Sequence, residues 1–307
     1  MTGRRVGLGL DGGGSSSRWL LLASEGEVPA EVLGEGRTGP LTGHLFEGDD
    51  VQLERLRMLL TDAAAVQKPD ALVAGLTGLH PKTKAFELYT KTVAETLELG
   101  PECILLADDM RIAYASAFGP GEGVLVYAGT GSIAYHRTAA GDVLRTGGYG
   151  YLIDDAGGGY WLGREGLRAV LRQYDTLGLP SQTHLANMLY AKLGSRDWDE
   201  LMPLIYSGGR TFIASLAPAL AEAAEVGDED AQRILWAGGL ELARLATGLF
   251  GRLGGVLPVA FAGGISQLSP VLTEALEQTL GGPVQRELED PVWAAARWAL
   301  ELAQTTR

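Results

Sequence analysis

Asp11-Gly12-Gly13-Gly14-Ser15-Ser16-Ser17 stands between two apolar runs, Val6 to Leu10 and Trp19 to Ala23. Short apolar runs bounded by glycine read as buried strands, so the stretch is a tight hairpin loop between them. That position separates it from two familiar phosphate loops. A dinucleotide-binding fingerprint needs strand, loop and then helix, and here Arg18-Trp19-Leu20-Leu21-Leu22 continues as strand. A P-loop needs Gly-Lys-Ser or Gly-Lys-Thr, and the chain has neither. The loop is then either a plain glycine hairpin or a clamp whose successive backbone N–H groups converge on one anion. Asp11 ends the first strand. A carboxylate there suits Mg²⁺ or its water shell, because Mg²⁺ keeps several waters and takes few protein ligands. A turn-capping role would use the same residue.

The pattern returns. Ala128-Gly129-Thr130-Gly131-Ser132 lies between the apolar runs Val124 to Tyr127 and Ile133 to His136, which suggests a duplicated domain of strand–loop–strand type. Around the first hairpin, Leu53 to Val66 has helical apolar spacing, and Ala71 to Ala74 reads as a strand broken by Thr77-Gly78. A helix is expected from Pro81 to Leu97, a strand over Ile104 to Ala107, and a helix from there to Phe118. Gly119-Pro120-Gly121 marks a boundary. Beyond it come the strand Val143 to Arg145, a mostly helical stretch from Tyr160 to Phe250, and a strand at Val259 to Phe261 ending in Gly263-Gly264. Helices near Leu268 to Leu280 and from Pro291 to Ala303 follow; proline is well placed at a helix start. Strands alternating with helices define an α/β fold. The chain divides into 1–117 and 118–290, the second carrying a helical insertion, with helix 291–307 available to pack back on the first.

Composition narrows the function. The chain has 307 residues, of which 46% are hydrophobic and 21% charged, values of a packed globular protein long enough for two domains. A net charge of −13 disfavours nucleic-acid binding, which rests on Lys and Arg neutralising phosphates. A single cysteine excludes an internal disulfide and a Cys-ligated zinc or iron–sulfur site within one subunit. That residue, Cys103, begins the apolar run Cys103-Ile104-Leu105-Leu106 and reads as a buried strand residue. No stretch of about 18 apolar residues is present, and the N-terminus lacks the long apolar run of a signal peptide. A cytoplasmic protein without a membrane span is expected.

Two further stretches carry chemistry. Asp108-Asp109 follows a strand and precedes a helix; one of them can cap the helix. The carboxyl ends of strands are where open α/β sheets bind ligands, and phosphoryl transfer to an alcohol needs a carboxylate to accept the hydroxyl proton. The second stretch runs from Gly147-Gly148-Tyr149-Gly150-Tyr151 through Asp154-Asp155-Ala156-Gly157-Gly158 to Tyr160-Trp161. Its glycines, acids and aromatics suit a ligand wall better than a linker.

Taken in order, these segments resemble the N-acetylglucosamine kinase group within the BadF/BadG/BcrA/BcrD ATPase family of the actin-like superfamily. The first phosphate loop is similar to Asp11 to Ser15, the second to Gly129-Thr130-Gly131-Ser132, the sugar wall to 147–161, and the adenosine segment to Phe261-Ala262-Gly263-Gly264-Ile265. Gly227-Asp228 is similar to a further signature that precedes an Ala-rich helix. The resemblance implies two actin-like, ribonuclease H-like domains with a nucleotide cleft between them, ATP and Mg²⁺ as cofactors, a small sugar as substrate and a homodimer. It implies that Asp109 is the catalytic base and that Asp11 serves the metal. Gly12, Gly13, Gly14, Ser15, Gly129, Thr130, Gly131, Ser132, Gly227, Gly263 and Gly264 would hold the nucleotide. Thr42, Gly43, His44, Asp108, Gly148, Tyr149, Gly150 and Asp155 would hold the sugar.

The chain departs from the group's pattern. Gly43 stands where an Asn usually contacts the sugar, and Ala156 and Gly158 replace a Glu and a Ser. Lost polar groups change which acceptors a site rejects. The expected reaction is phosphorylation of N-acetylglucosamine at its 6-hydroxyl. Glucosamine, N-acetylmuramic acid or glucose as acceptor, or a non-catalytic sugar sensor, are the alternatives. An ATPase that drives electrons into a CoA-ester dehydratase needs two cysteines per subunit, and the related repressor–kinases carry a Cys-rich zinc motif. The single cysteine argues against both.

Overall fold

The structure, a computed structural model, describes residues 3–14, 16–25, 30–43 and 49–306. The chain forms two compact units: 1–119 together with 289–307, and 120–288. In the first, a five-stranded sheet has the order β3-β2-β1-β4-β5, with β1 Arg5–Gly12, β2 Ser17–Ser24, β3 Glu31–Thr38, β4 Ala71–Leu76 and β5 Ile104–Ala107. The β1–β2 and β2–β3 pairs are antiparallel, as a hairpin requires, while β4 runs parallel to both β1 and β5. Both faces are covered, which is why β4 is buried at every position.

Alternation along β1 sorts the two faces. Val6, Leu8 and Leu10 join the core under helices α1 (Asp49–Val66) and α2 (Lys84–Leu97). Gly7 and Gly9 face the other way, toward the last helix of the chain, Pro291–Thr305. A Cβ on Gly9 would lie 2.3 Å from the Ala296 nitrogen, and one on Gly7 would lie 2.6 Å from the Leu300 nitrogen. The helix therefore rests on bare backbone, and its own contact residues, Ala295, Ala296 and Ala299, are small and buried.

The second unit has a four-stranded sheet in the order β8-β7-β6-β9: β6 Val124–Ala128, β7 Ser132–Arg137, β8 Val143–Gly147 and β9 Val259–Ala262. Only β6–β9 is parallel. Its helices include α4 (Gly159–Leu177), α5 (His184–Leu193), α6 (Trp198–Ala214), α7 (Ala217–Glu225), α8 (Glu229–Leu253) and α9 (Pro270–Leu280). Val124, Val126 and Phe261 from the sheet meet Leu162, Leu242 and Leu245 from the helices in one core. The helix after β5 is α3, Asp109–Ala115, and the final one is α10. Among the described residues no helix is long and apolar enough to cross a membrane.

Several expectations shift. β3 gave no strand signal because its half-exposed face carries Gly34 and Gly36, which leave room for the Trp19 indole. Helix α2 begins at Lys84 rather than Pro81: Lys82 has a φ of 70°, incompatible with a helix, and the Thr83 hydroxyl accepts the Phe86 N–H as cap. Helix α3 stops at Ala115, three residues early, where the Ser116 hydroxyl turns back to the Ala113 carbonyl. Cys103 ends a 3₁₀ turn before β5 and is half-buried, its sulfur 3.6 Å from the Thr306 hydroxyl.

The Gly9 contact gives a direct test. Substituting Gly9→Ala drives a methyl into the α10 backbone and should cost roughly 1–3 kcal/mol, read as a lower urea midpoint. Gly255→Ala, which meets nothing within 4 Å, should leave the midpoint unchanged.

Candidate active site

The carboxyl ends of β1, β4 and β5 lie side by side because the strands are parallel and in register: Gly12 opposes Leu76, and Gly75 opposes Ala107. Each strand delivers a polar group at or just past this end. β1 ends in Asp11 and the glycine loop, β4 leads into Thr77, and β5 leads into Asp108 and Asp109. The Thr77 hydroxyl donates to Asp109 Oδ2 at 2.8 Å, and the Thr77 N–H donates to the Gly12 carbonyl at 2.9 Å. Asp108 caps α3, its Oδ1 accepting the Arg111 N–H at 2.8 Å. The two adjacent acids are thereby told apart: one closes a helix end, and the other is held by a side-chain hydroxyl. Asp109 is half-buried, and that burial pushes its carboxyl pKa above the usual range. The Thr77 hydrogen bond opposes this rise, and the neighbouring Asp108 charge adds to it.

Asp11 is not alone. Arg18, opposite it on β2, reaches its Oδ2 at 3.1 Å and grips Asp290 with two bonds of 2.7 Å. Asp290 is also the N-cap of α10, accepting the Val292 N–H. Burial raises the Asp11 pKa against the pull of Arg18, with help from the nearby charges of Asp290 and Asp109. Burial alone would raise Asp290 too, but the Arg18 hydrogen bond and charge hold it below the ordinary value. Sequence reading missed Arg18, Asp290 and Thr77. Arg18 and Asp290 are 272 positions apart, and only Asp290's place before Pro291 signalled a cap. Thr77 showed only as the break after a strand.

The segment Leu41 to Gly43, whose Thr42 and Gly43 the resemblance assigns to the sugar acceptor, also meets this end of the sheet. Thr42 forms a parallel bridge with Thr77, Gly43 N–H donates to the Thr77 carbonyl at 2.8 Å, and Leu41 N–H donates to the Gly13 carbonyl at 3.1 Å. The Tyr89 hydroxyl of α2 donates to the Thr42 carbonyl at 2.7 Å. A Cβ at Gly43 would lie 2.2 Å from the Leu79 Cα. The absent Asn thus has a structural cause: no side chain fits this backbone. Ser15 and His44 lie outside the described residues.

In the second unit, Gly129, Thr130 and Gly131 turn between β6 and β7. Two N–H groups at the start of α4 tie this loop down: Gly159 donates to the Gly129 carbonyl at 2.8 Å and Tyr160 to the Thr130 carbonyl at 3.0 Å. Gly158 packs on the Gly131 backbone. The Ser132 hydroxyl donates to the Ala156 carbonyl at 2.7 Å. Asp155 is buried at 6% exposure in the left-handed region, with a φ of 63°, and its Oδ1 accepts the Gly150 N–H at 3.2 Å. Its pKa is raised by burial and by Asp154, while the Gly150 bond and Arg210 act the other way. The loop 129–132, Gly148, Gly150 and Asp155 form one connected cluster, since Gly148 N–H also bonds the Ser132 carbonyl. Tyr149 is exposed. Gly263, at φ 88°, lies against the Ala128 carbonyl, and Gly264 beside it is open. Gly227 sits at a helix junction: Asp228 caps α8 through Ala231 and accepts the Leu185 N–H heading α5.

Two units, each opening on a strand–glycine loop–strand hairpin, with acids at the strand ends of the first, define an α/β fold of the actin-like sugar-kinase class. A solved candidate N-acetylglucosamine kinase from Chromobacterium violaceum shares it, with a TM-score of 0.74 and 26% identity over 98% of this chain and 99% of that one. The BadF/BadG/BcrA/BcrD ATPase family pattern matches residues 8–297, and the chain belongs to that family. Among curated relatives it is 28% identical over 234 residues, 74% of each chain, to an N-acetylmuramic acid/N-acetylglucosamine kinase of Clostridium acetobutylicum. It is 24% identical over 296 residues, 90% of each chain, to an N-acetyl-D-glucosamine kinase of Dictyostelium discoideum.

Gly43→Asn tests the packing explanation. Forcing a side chain against Leu79 should destabilise the protein by roughly 1–3 kcal/mol, seen as a lower melting temperature, instead of restoring a sugar contact.

Proposed function

We propose that the protein transfers the γ-phosphoryl group of ATP to a hydroxyl of an amino sugar, N-acetylglucosamine or a relative such as N-acetylmuramic acid, with the 6-hydroxyl as acceptor. The observation that carries this is Asp109: a carboxylate at the carboxyl end of a parallel strand, held by the hydroxyl of Thr77, whose own N–H bonds to the first glycine hairpin. The membership of an ATPase family and the names of the curated relatives agree with it.

Asp109 accepts the proton of the sugar hydroxyl as its oxygen bonds to the γ-phosphorus, the bond to the β–γ bridging oxygen breaks, and ADP departs. In each unit the glycine hairpin offers backbone N–H groups suited to phosphate, Gly14 in the first and Thr130 and Gly131 in the second, while the Gly13 and Gly129 N–H groups close the turns on the Ser16 and Gly131 carbonyls; fixed dipoles suit this task in an acidic protein. Asp155, with Gly148, Tyr149 and Gly150 around it, accepts hydroxyl hydrogens of the sugar. Gly264 leaves room for the nucleoside, while Gly263 packs against the Ala128 backbone.

Among the described residues no cluster of three or more His, Cys, Asp or Glu side chains forms a metal cage. The site instead suits a Mg²⁺ ion that arrives on the nucleotide and takes one carboxylate or its waters, and Asp11 is the carboxylate that would hold it. When bound, Mg²⁺ neutralises charge on the β- and γ-phosphates.

Coupled ADP release should require Mg·ATP and one amino sugar of a panel of N-acetylglucosamine, N-acetylmuramic acid, glucosamine, N-acetylmannosamine and glucose. Release without any sugar would replace this reading with an ATPase; sugar binding without release would replace it with a sensor. Asp109→Asn should lower turnover by about 10²–10⁴-fold and spare ATP binding. Because the base acts ionised and its pKa is raised, kcat/KM should fall as pH drops through a value above the ordinary carboxylate range. The fall should be absent from whatever activity Asp109→Asn retains.

A further inference from the structure

The bonds around Thr77 join three segments that are far apart in the chain. Its N–H donates to the Gly12 carbonyl of the phosphate hairpin, and its carbonyl accepts from Gly43 of the acceptor segment. Its hydroxyl donates to Asp109 Oδ2. The direct bond from Leu41 to the Gly13 carbonyl closes the ring. The two peptide bonds of Thr77 could be made by any residue in this backbone. The hydroxyl is particular. It also lies 3.3 Å from the Gly12 carbonyl, but one O–H donates to one acceptor at a time. That carbonyl already takes the Thr77 N–H, and the carboxylate is both nearer and charged.

We infer that Thr77 is a positioning residue for phosphoryl transfer: its hydroxyl sets the plane of the Asp109 carboxylate, and its peptide group ties that plane to the phosphate hairpin and the acceptor segment. The inference rests on reading Asp109 as the base. The terminal torsion of an aspartate is broad; the Met110 N–H holds Oδ1 at 3.1 Å from within the same helix turn, and the Thr77 hydroxyl on Oδ2 is the bond that ties the carboxylate to a neighbouring strand. A β-branched hydroxyl is stiff about χ1, and this one is anchored at both ends of its peptide. A carboxylate offers about four lone-pair sites, so Asp109 keeps acceptor capacity for a substrate proton while Thr77 holds it. Losing alignment of about 1 Å can cost on the order of 10²-fold in rate.

Thr77→Val keeps the branched shape and both peptide bonds and removes only the hydroxyl. It should lower kcat by about 10–100-fold and leave KM for ATP and for the sugar near the wild-type values, the pattern of an interaction used in the transition state. Thr77→Ser should recover most of kcat. Should Thr77→Val fail to fold, Thr77→Ala carries the same expectation. A wild-type kcat in the hydroxyl-free variant, or a Ser variant as slow as Val, overturns the inference. So does a kcat loss matched by rises in both KM values and a lower melting temperature. Asp109→Asn in the same assay separates the two readings. If it turns over normally, the base assignment fails and this inference with it; if it is inactive while Thr77→Val is unimpaired, Thr77 alone falls.

Discussion

The parallel pairing of β4 between β1 and β5 is the constraint on which the first unit's chemistry depends. Because Gly12 opposes Leu76 and Gly75 opposes Ala107, Thr77 reaches the Gly12 carbonyl of the first hairpin, and Asp109, two residues past Ala107, reaches the Thr77 hydroxyl. Side chains alternate along a strand, so a slip of one residue would exchange the two faces. The same alternation sends Gly7, Gly9 and Asp11 to the α10 side. The bare backbone of the first two lets α10 approach closely, and that approach brings its cap, Asp290, to the Arg18 that also holds Asp11. Packing and polar chemistry at this end of the sheet are one arrangement.

Three acids, Asp11, Asp109 and Asp290, share this end of the sheet, and two side chains from neighbouring strands hold them. Arg18 serves two of them, with a bidentate grip on Asp290 and a single bond to Asp11. A planar guanidinium suits that division, since its fork matches one carboxylate and leaves an edge for another. Thr77 serves the third with a neutral bond. A neutral donor holds Asp109 in place without pairing its charge, which suits the proton-accepting role proposed for it. Exposed pairs such as Lys68–Glu98 add little by comparison, because water screens them.

The hairpins and the helices between Tyr160 and Phe250 were legible because each depends on local signals: apolar runs, glycine clusters and periodicity. The place of Asp108-Asp109 between a strand and a helix is a local signal too. β3 was not legible, because an edge strand that makes room for Trp19 with glycines carries no apolar alternation. Arg18 and Asp290 were not, because their pairing exists only once the last helix lies against the first strand. In the sequence Gly43 shows only as a missing side chain. Its closeness to Leu79 belongs to the fold and could not be seen from the order of residues.

The most direct measurement follows the phosphoryl group itself. Incubation of the protein with Mg²⁺ and ATP labelled with ¹⁸O on the γ-phosphoryl oxygens, in unlabelled water with N-acetylglucosamine or N-acetylmuramic acid, would be read by mass spectrometry of the products. The account predicts a sugar phosphate carrying the intact labelled phosphoryl group, with little labelled inorganic phosphate. Labelled inorganic phosphate alone, with every sugar unmodified, would contradict it.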